Sequence, residues 1–275
     1  MEAAEHSAPT LRVGCPMWAF KPWIGSLYPR STPQNRLLGE YAHSFDTVEG
    51  NTTFYALPEA RTVARWAEQA PENFRFVLKM PKRITHELRL RDADREVAEF
   101  VERFEPLADR LGPTFVQLPA SFGPDDLGVL HDFLAGLPSD REWALEVRHR
   151  DFFVGGRHEQ PLDETLRRLA INRVIMDARC VHAGPAQTPQ ERDEIRSKPN
   201  LPVRPIATGR SPIVRFIGQT DPSAHPAFWA PWVDVCRRWL AEGLSPYVFI
   251  HTPDNLATPR LAVQFRDEVG GSASG

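Results

Sequence analysis

Eight short apolar runs, separated by polar or amphipathic stretches, divide the chain between residues 11 and 269. The predicted strands are Leu11–Cys15, Ser44–Glu49, Phe74–Lys79, Thr114–Leu118, Trp143–Val147, Arg173–Asp177, Ile213–Ile217 and Tyr247–His251. Most of these runs are continuously apolar rather than alternating, which is typical of parallel strands covered on both faces. Helical periodicity is clearest after the third strand, where Val97, Phe100, Val101 and Phe104 recur at i, i+3 and i+4 spacing and continue to Leu111.

The repeated alternation of strand and helix predicts an α/β protein with a parallel sheet. Eight such units within residues 11–269 favour a single-domain TIM-type (β/α)8 barrel over a doubly wound sheet. Residues 1–10 are predicted to be a disordered arm, and the Gly/Ser-rich residues 270–275 a flexible tail.

One connection departs from this regular pattern. The long loop between strands 6 and 7, residues 178–211, contains five prolines and a single weak helix near Gln190–Ser197. A connection of this length in a compact domain is usually functional or disordered. The sequence leaves open whether it is a lid over a site or a variable surface insertion.

Composition narrows the class of protein without identifying a partner. The 33 Lys and Arg residues nearly balance the 36 Asp and Glu residues, so global charge does not favour a nucleic-acid partner. The three cysteines, Cys15, Cys180 and Cys236, are too few and too scattered for a disulfide framework. The chain shows no apolar leader and no run long enough to span a bilayer, so we expect a cytoplasmic protein with no membrane partner. The oligomeric state is left open.

Polar side chains gather at the predicted carboxyl ends of the strands, where barrels of this type bind their ligands. In chain order the candidates are Trp18, Glu49, Asn51, Tyr55, Lys79, His86, Gln117, Glu146, Arg148, His149, Asp177, Arg215, His251 and Asn255. Burying charges at these carboxyl ends costs several kcal/mol per ion unless they are paired or bind something, so several such charges at one rim predict a ligand site.

The basic candidates predict a clamp for a small anionic ligand. Its candidates are Lys79, Lys82, His86, Arg148 and Arg215, although Lys82 by itself fits a solvated loop better. They suit phosphate or carboxylate, Arg as a planar fork and Lys as a point charge. The alternative is that each basic group pairs with a neighbouring acid in a structural network. Of the other ligand-binding candidates, Asn51, Gln117 and Asn255 would orient the ligand, and Trp18 and Tyr55 would line the pocket.

The remaining candidates concern proton transfer and metal binding. We expect Glu49, His86 and Glu146 to be the catalytic groups, with His149 as a further base because histidine titrates near neutrality. Glu49, Glu146, Asp177 and His251 are also candidate ligands for a divalent metal such as Mg²⁺, Mn²⁺ or Zn²⁺. No cofactor is certain, since the sequence contains no His-x-x-x-His spacing and the four ligands would have to converge from different strands. The carboxylates could instead neutralise the basic cluster.

Five motifs along residues 11–153 resemble, in order, those of the YecE-like family, the domain of unknown function 72. They are Gly14-Cys15-Pro16-Met17-Trp18, Val48-Glu49-Gly50-Asn51-Thr52-Thr53-Phe54-Tyr55, Lys79-Met80-Pro81-Lys82, Gln117-Leu118-Pro119 and Glu146-Val147-Arg148-His149. Later in the chain the family's arginine is kept at Arg215, whereas the last strand ends in His251-Thr252-Pro253-Asp254-Asn255 instead of a pair of asparagines. The resemblance implies a TIM-type barrel and specifies no reaction.

Three functions remain as hypotheses. The first is an enzyme, of hydrolase or isomerase type, for a phosphate- or carboxylate-bearing small molecule. The second is nucleic-acid binding or metal-dependent, repair-like phosphodiester hydrolysis, which predicts an affinity that falls steeply with salt. The third is a barrel that binds a ligand without turnover.

Overall fold

The fold is described here from a computed structural model, in which residues 8–153, 155 and 157–271 are placed. Eight short strands follow one another along the chain. They are β1 (Arg12–Gly14), β2 (Thr47–Gly50), β3 (Arg75–Leu78), β4 (Thr114–Gln117), β5 (Trp143–Glu146), β6 (Asn172–Asp177), β7 (Ile213–Ile217) and β8 (Tyr247–His251). Each overlaps one of the eight predicted strands, so the apolar runs identified the strands correctly.

Helices alternate with the strands along the chain. They are α1 (Leu37–Ala42), α2 (Ala60–Gln69), α3 (Asp94–Arg103), α4 (Leu127–Ala135), α5 (Glu159–Arg168), α6 (Pro189–Ser197), α7 (His225–Ala241) and α8 (Thr258–Gly270). The apolar stripe after the third strand predicted one helix reaching Leu111, but α3 ends at Arg103 and a 3-10 helix covers Glu105–Arg110. Pro106 explains the break, because it lacks the N–H that the continuing α-helix would need.

All described strand pairs are parallel, and they form two sheets. The larger has the order β1-β8-β7-β6-β5-β4, and the smaller pairs β2 with β3. Single bridges connect the two sheets at both sides: Cys15 aligns with Val48, and Lys79 with Phe115. The α/β class with a parallel sheet is therefore confirmed, whereas the described strands do not form one continuous closed sheet.

The strands have two distinct faces because side chains alternate along them. The face that we call the inner face carries one apolar cluster drawn from six strands: Val77, Phe115, Ala144, Val174, Ile213, Tyr247 and Phe249. The opposite face packs against the helices in two larger clusters. Residues at even spacing from the inner cluster share its face, which makes the direction of each polar side chain predictable from its position.

The long connection before β7 is anchored by a buried carboxylate. Within it, α6 occupies Pro189–Ser197, close to the predicted Gln190–Ser197. Glu191 accepts the backbone N–H groups of Gln187 (2.6 Å) and Thr220 (2.7 Å), which ties α6 to the segment after β7. The connection is thus packed onto the body of the protein.

The predicted ends of the chain fall mostly outside the described residues. This applies to residues 1–7 of the expected arm and residues 272–275 of the expected tail. Helix α8 continues through Gly270, the first residue assigned to that tail. Among the described helices, none is both long and apolar enough to cross a membrane.

Candidate functional site

Arg215, in the middle of β7, is the centre of a buried ionic cluster. Its Nε and Nη2 donate to the two carboxylate oxygens of Glu49 on β2, both at 2.8 Å. Its Nη1 donates to Glu146 Oε2 on β5, also at 2.8 Å. All three side chains are almost completely buried. The inner face therefore brings together residues that are up to 166 positions apart in the chain.

The two carboxylates are ionised because their cationic neighbours outweigh burial. Burial alone would raise the pKa of Glu146, but Arg148 and Arg215, followed by Lys79, lower it to about 2. In the same way burial opposes ionisation of Glu49, and Arg215 and then His251 hold its pKa well below the usual value. Both carboxylates remain anions at neutral pH, so they anchor Arg215 and are poor proton acceptors there.

Gln117 connects the arginine cluster to Lys79. Its Oε1 accepts hydrogen bonds from Lys79 Nζ at 2.7 Å and from Arg148 Nη2 at 2.9 Å. Arg148 also donates through Nε to Glu146 Oε1 at 2.7 Å. One amide oxygen thus lies between two cationic groups, and the arrangement is rich in donors.

Lys79 is the cation of this cluster for which the described residues provide no acidic partner. It is only 7% exposed, and in the part of the chain that the structure describes it forms no ion pair. Its Nζ lies 3.8 Å from the centre of the Phe54 ring, a contact that favours the ammonium form. Burial, followed by Arg215, lowers the pKa of Lys79 to about 7. Both forms of the amine are therefore populated at neutral pH.

Two histidines and one asparagine surround the cluster. The His251 Nε2 lies 3.2 Å from Glu49 Oε2, and Asn51 Nδ2 donates to Glu49 Oε1 at 2.6 Å. His86 lies on a π-helical turn, Arg83–Glu87, where its Nδ1 is 2.8 Å from the Thr85 hydroxyl. Burial, then the charge of Lys79, lowers the pKa of His86 to about 4, so its imidazole is neutral at pH 7.

Asp177 is not part of this cluster, which corrects the expectation from the sequence. Its neighbour Met176 aligns with Arg215 on the inner face, so Asp177 points to the helix side. There it accepts hydrogen bonds from Trp232 Nε1 (2.7 Å) and from Arg179 Nη2 (2.7 Å). Lying at the end of a strand was not sufficient, because the alternation of side chains decides which face a residue occupies.

Four further candidates also lie away from the ionic cluster. Tyr55 is 81% exposed, and Trp18 packs edge-on against the ring of Trp66 at 5.0 Å. The His149 Nδ1 accepts the backbone N–H of Asp151 at 3.3 Å. Asn255 contributes its carbonyl oxygen to the indole of Trp23 at 2.7 Å. None of these contacts reaches Lys79, Arg148 or Arg215.

The four metal-ligand candidates do not form one donor set. Among the described residues no three His, Cys, Asp or Glu side chains converge with metal-binding geometry. Glu49 and Glu146 instead flank the guanidinium of Arg215, and Asp177 lies on the other face. Only Glu49 and His251 of the expected set touch each other.

Lys198, which the sequence analysis missed, approaches the cluster from the long connection before β7. Its pKa is lowered by burial and then by Arg215, while Glu194 at 3.9 Å and Glu146 act in the opposite direction. Its neighbour Ser197 accepts a long hydrogen bond of 3.4 Å from Arg148 Nη1. The only signal in the sequence was a lysine just after the weak helix, a position too common to single out.

A cavity of about 730 Å³ lies elsewhere, at the amino ends of strands β5 to β7. Trp143, Asn172 and Arg210 are among its lining residues. The candidate site residues do not line it. We therefore define the candidate site by its buried charges, since these require compensation by a partner or a ligand.

Comparisons with known proteins agree with this architecture. A family model described as "Protein of unknown function DUF72" matches residues 12–275. The chain is 41% identical over 253 residues to UPF0759 protein YecE of Escherichia coli, spanning 90% of this chain and 89% of that protein. It is 28% identical over 144 residues to UPF0759 protein YunF of Bacillus subtilis, spanning 50% of this chain and 51% of that protein.

Solved structures of two related proteins resemble this one. A DUF72 family protein from Thermotoga maritima superposes with a TM-score of 0.70 at 24% identity, covering 95% of this chain and 100% of that chain. A DUF72 family protein from Enterococcus faecalis superposes with a TM-score of 0.65 at 22% identity, covering 86% of this chain and 94% of that chain. At these identities the similarity shows a shared fold.

Proposed function

Because the chain belongs to the family of the protein of unknown function DUF72, whose name assigns no reaction, we propose a function from the site itself. The protein is an enzyme that binds a small phosphate- or carboxylate-bearing molecule beside Lys79 and transforms it by acid–base chemistry. The eight strands form a TIM-type barrel, and the ligand enters at their carboxyl ends. The bridges Cys15–Val48 and Lys79–Phe115, one at each gap between the two sheets, support this closure.

The observation that carries the proposal is an excess of buried positive charge. Glu49 and Glu146 are both bound by Arg215, and Glu146 also binds Arg148. Lys79 is left beside two arginines without a carboxylate of its own, and its pKa is lowered as a result of burial and their repulsion. An anionic ligand would supply the missing negative charge and relieve that cost.

Lys198 brings a further basic group to the cluster together with an acid. With it, four basic side chains lie near three carboxylates, since Glu194 pairs with Lys198 at 3.9 Å, and the excess of one positive charge remains. The basic groups come from β3, β5, β7 and the connection that contains α6. Convergence from four separate elements favours a ligand site over a chain of local ion pairs.

Acid–base chemistry belongs to Lys79 and His86 in this proposal. The pKa of Lys79, about 7, suits a group that both accepts and donates protons at neutral pH. His86 is a neutral imidazole and a weak base in the free protein, and a bound anion would raise its pKa towards neutrality, where it accepts a proton more readily. Glu49 and Glu146, which the sequence suggested as proton carriers, hold Arg215 in position instead. An isomerase or a hydrolase reaction fits these groups.

Calorimetry with sulfate tests the anion site directly. Sulfate does not titrate near neutral pH, so any proton taken up from the buffer on binding is bound by the protein. We expect binding with proton uptake at pH 7.5, because the anion raises the pKa of Lys79. The variant Lys79→Met should bind at least about tenfold more weakly, a loss of about 1.4 kcal/mol, without that uptake.

Lys82→Met is the matched control, since Lys82 is an exposed lysine three positions away. It should bind sulfate with proton uptake like the parent protein. Equal losses in the two variants would show that sulfate binds through general surface charge, and the proposed site would then be wrong. Tight binding of an oligonucleotide with steep salt dependence would instead favour the nucleic-acid hypothesis.

A further inference from the structure

We propose that Lys79 is a covalent nucleophile, which forms an imine with the carbonyl group of an anionic aldehyde or ketone. This inference rests on the proposed function, because it names the substrate class of the same site. The carboxylate or phosphate of the substrate would lie against Arg148, and its carbonyl carbon would meet Nζ.

The surroundings of Nζ carry this inference. Lys79 is nearly buried, and its hydrogen-bond partner is the amide oxygen of Gln117 at 2.7 Å. A structural lysine at such a position normally pairs with a carboxylate, but the two nearby carboxylates are engaged by arginines. A lysine that is desolvated and set next to other cations is the arrangement that activates an amine as a nucleophile.

The charged groups around Lys79 come from every neighbouring element. Arg215 and Arg148 disfavour its ammonium form, while Glu146 and Glu49 favour it. The remaining titratable groups of the cluster are His86 on the π-helical turn, Lys198 after α6 and His251 on β8. Burial and the two arginines prevail over the two carboxylates, so a neutral amine is present at the pH at which it must attack.

The chemical step balances without any further reagent. The Nζ lone pair attacks the carbonyl carbon and forms the C–N bond, and the carbonyl oxygen becomes a hydroxyl group. That hydroxyl, which already carries one amine proton, leaves as water with the second amine proton, and a neutral carbon–nitrogen double bond remains. His86 responds to the charge of Lys79, and the bound anion raises its pKa, which suits it to relay these protons. A proton from solvent, relayed to the imine nitrogen, then acidifies the adjacent C–H group, as an isomerase reaction requires.

Lys79 is favoured over Lys198 as the nucleophile. The side chain of Lys198 is 18% exposed and lies 3.9 Å from Glu194, which favours its charged form. Lys79 has no such partner among the described residues. The two lysines therefore make different predictions for the position of a trapped adduct.

Reductive trapping tests the imine. The protein is incubated at pH 7 with pyruvate or with glycolaldehyde phosphate and sodium cyanoborohydride, then digested and mapped by mass spectrometry. At a pKa of about 7 roughly half of the Lys79 amine is neutral, against roughly one part in 3,000 for an ordinary lysine of pKa near 10.4. We expect an adduct on Lys79 at least about tenfold above that on exposed Lys82, even though Lys79 is less accessible.

Two variants and a competitor sharpen the result. Lys79→Arg keeps a positive charge but lacks the amine nucleophile, so the adduct should disappear. Lys82→Arg should leave the adduct on Lys79 unchanged, and sulfate should compete with its formation. Adducts spread evenly over exposed lysines, or located on Lys198, would overturn the inference.

Lactate, which matches pyruvate but has no carbonyl group, separates this inference from the proposed function. If lactate binds in a Lys79-dependent manner but neither carbonyl probe leaves an adduct on Lys79, the anion site stands and the imine is wrong. If neither lactate nor sulfate binds and no adduct forms, both proposals are wrong.

Discussion

Replacing Arg215 by methionine should destabilise the protein strongly, because it removes the cation between two buried carboxylates. Glu146 keeps a hydrogen bond from Arg148 at 2.7 Å, but Glu49 retains only Asn51 and His251 as partners. The substitution therefore leaves mainly the charge of Glu49 without compensation, and Glu49 is fully buried. Methionine is shorter, since it has no guanidinium group, and it fills the space of the aliphatic part of the arginine side chain.

The structure sets the size of the effect. Breaking a buried pair by removing one partner typically costs about 3–5 kcal/mol. A pKa of about 2 for Glu146, against 4.5 for the free group, corresponds to about 3 kcal/mol in favour of the ionised form, which is the same order. With an unfolding entropy of about 2.1 cal/mol/K per residue, the variant should melt roughly 5–9 °C lower than the parent.

Urea unfolding as a function of pH is the decisive assay. In the parent, the depressed pKa values of Glu49 and Glu146 stabilise the fold above their unfolded values, and this contribution is lost as the pH falls through the folded values. In Arg215→Met, burial raises the pKa of Glu49. The free-energy cost of its buried, uncompensated charge is present at pH 7 and disappears as Glu49 protonates. The stability difference between the two proteins should therefore shrink between pH 7 and pH 4.

Matched variants define what would refute this reasoning. Arg61→Met breaks an exposed ion pair with Glu59 and should cost less than about 1 kcal/mol. Adding Glu49→Gln to Arg215→Met should recover part of the loss, because no buried charge is then left without its cation. A deficit below about 1 kcal/mol at pH 7, or one that does not change with pH, would show that the cluster is not a coupled buried unit.

Three further predictions concern neighbouring parts of the molecule. The pKa of Lys79 is lowered in the folded state, so stability in urea should rise from pH 7 towards pH 10, and Lys79→Met should lack that rise. Glu191→Gln weakens the bonds to the backbone of Gln187 and Thr220; faster hydrogen exchange at these amides and a loss of about 1–3 kcal/mol are expected, and unchanged exchange would contradict the anchoring role. Asp177→Asn should lower the melting temperature but leave the sulfate affinity unchanged in calorimetry, whereas a tenfold weaker affinity would return Asp177 to the site.

The sequence predicts where the strands lie and, through the alternation of side chains, which residues share a face of the sheet. Glu49, Lys79, Glu146 and Arg215 all lie in or just after apolar runs, and they meet because they share the inner face. Asp177 was expected in the site because it ends a strand. The alternation of side chains along β6 instead places it on the opposite face. Met176 is the residue of β6 that aligns with Arg215.

Pairing was decided only by the tertiary structure. The sequence left open whether the basic residues bind a ligand or pair with acids. In the structure some basic residues of the cluster are paired with acids and one is not. Arg215 is paired with Glu49 and Glu146, while Lys79 is not paired with either. Distances of a few ångströms determine this difference, and no spacing along the chain encodes them.

The apolar runs by themselves determined the α/β class and the positions of the described strands along the chain. The pattern carries this information because burial on both faces selects continuous apolar strands. Only the tertiary structure brought Lys198 to the cluster, left Lys79 without an acid and turned Asp177 towards Trp232. The contacts of these three side chains depend on how helices and long connections pack across the strands. Residues distant in the chain form those contacts, so the local sequence pattern does not specify them.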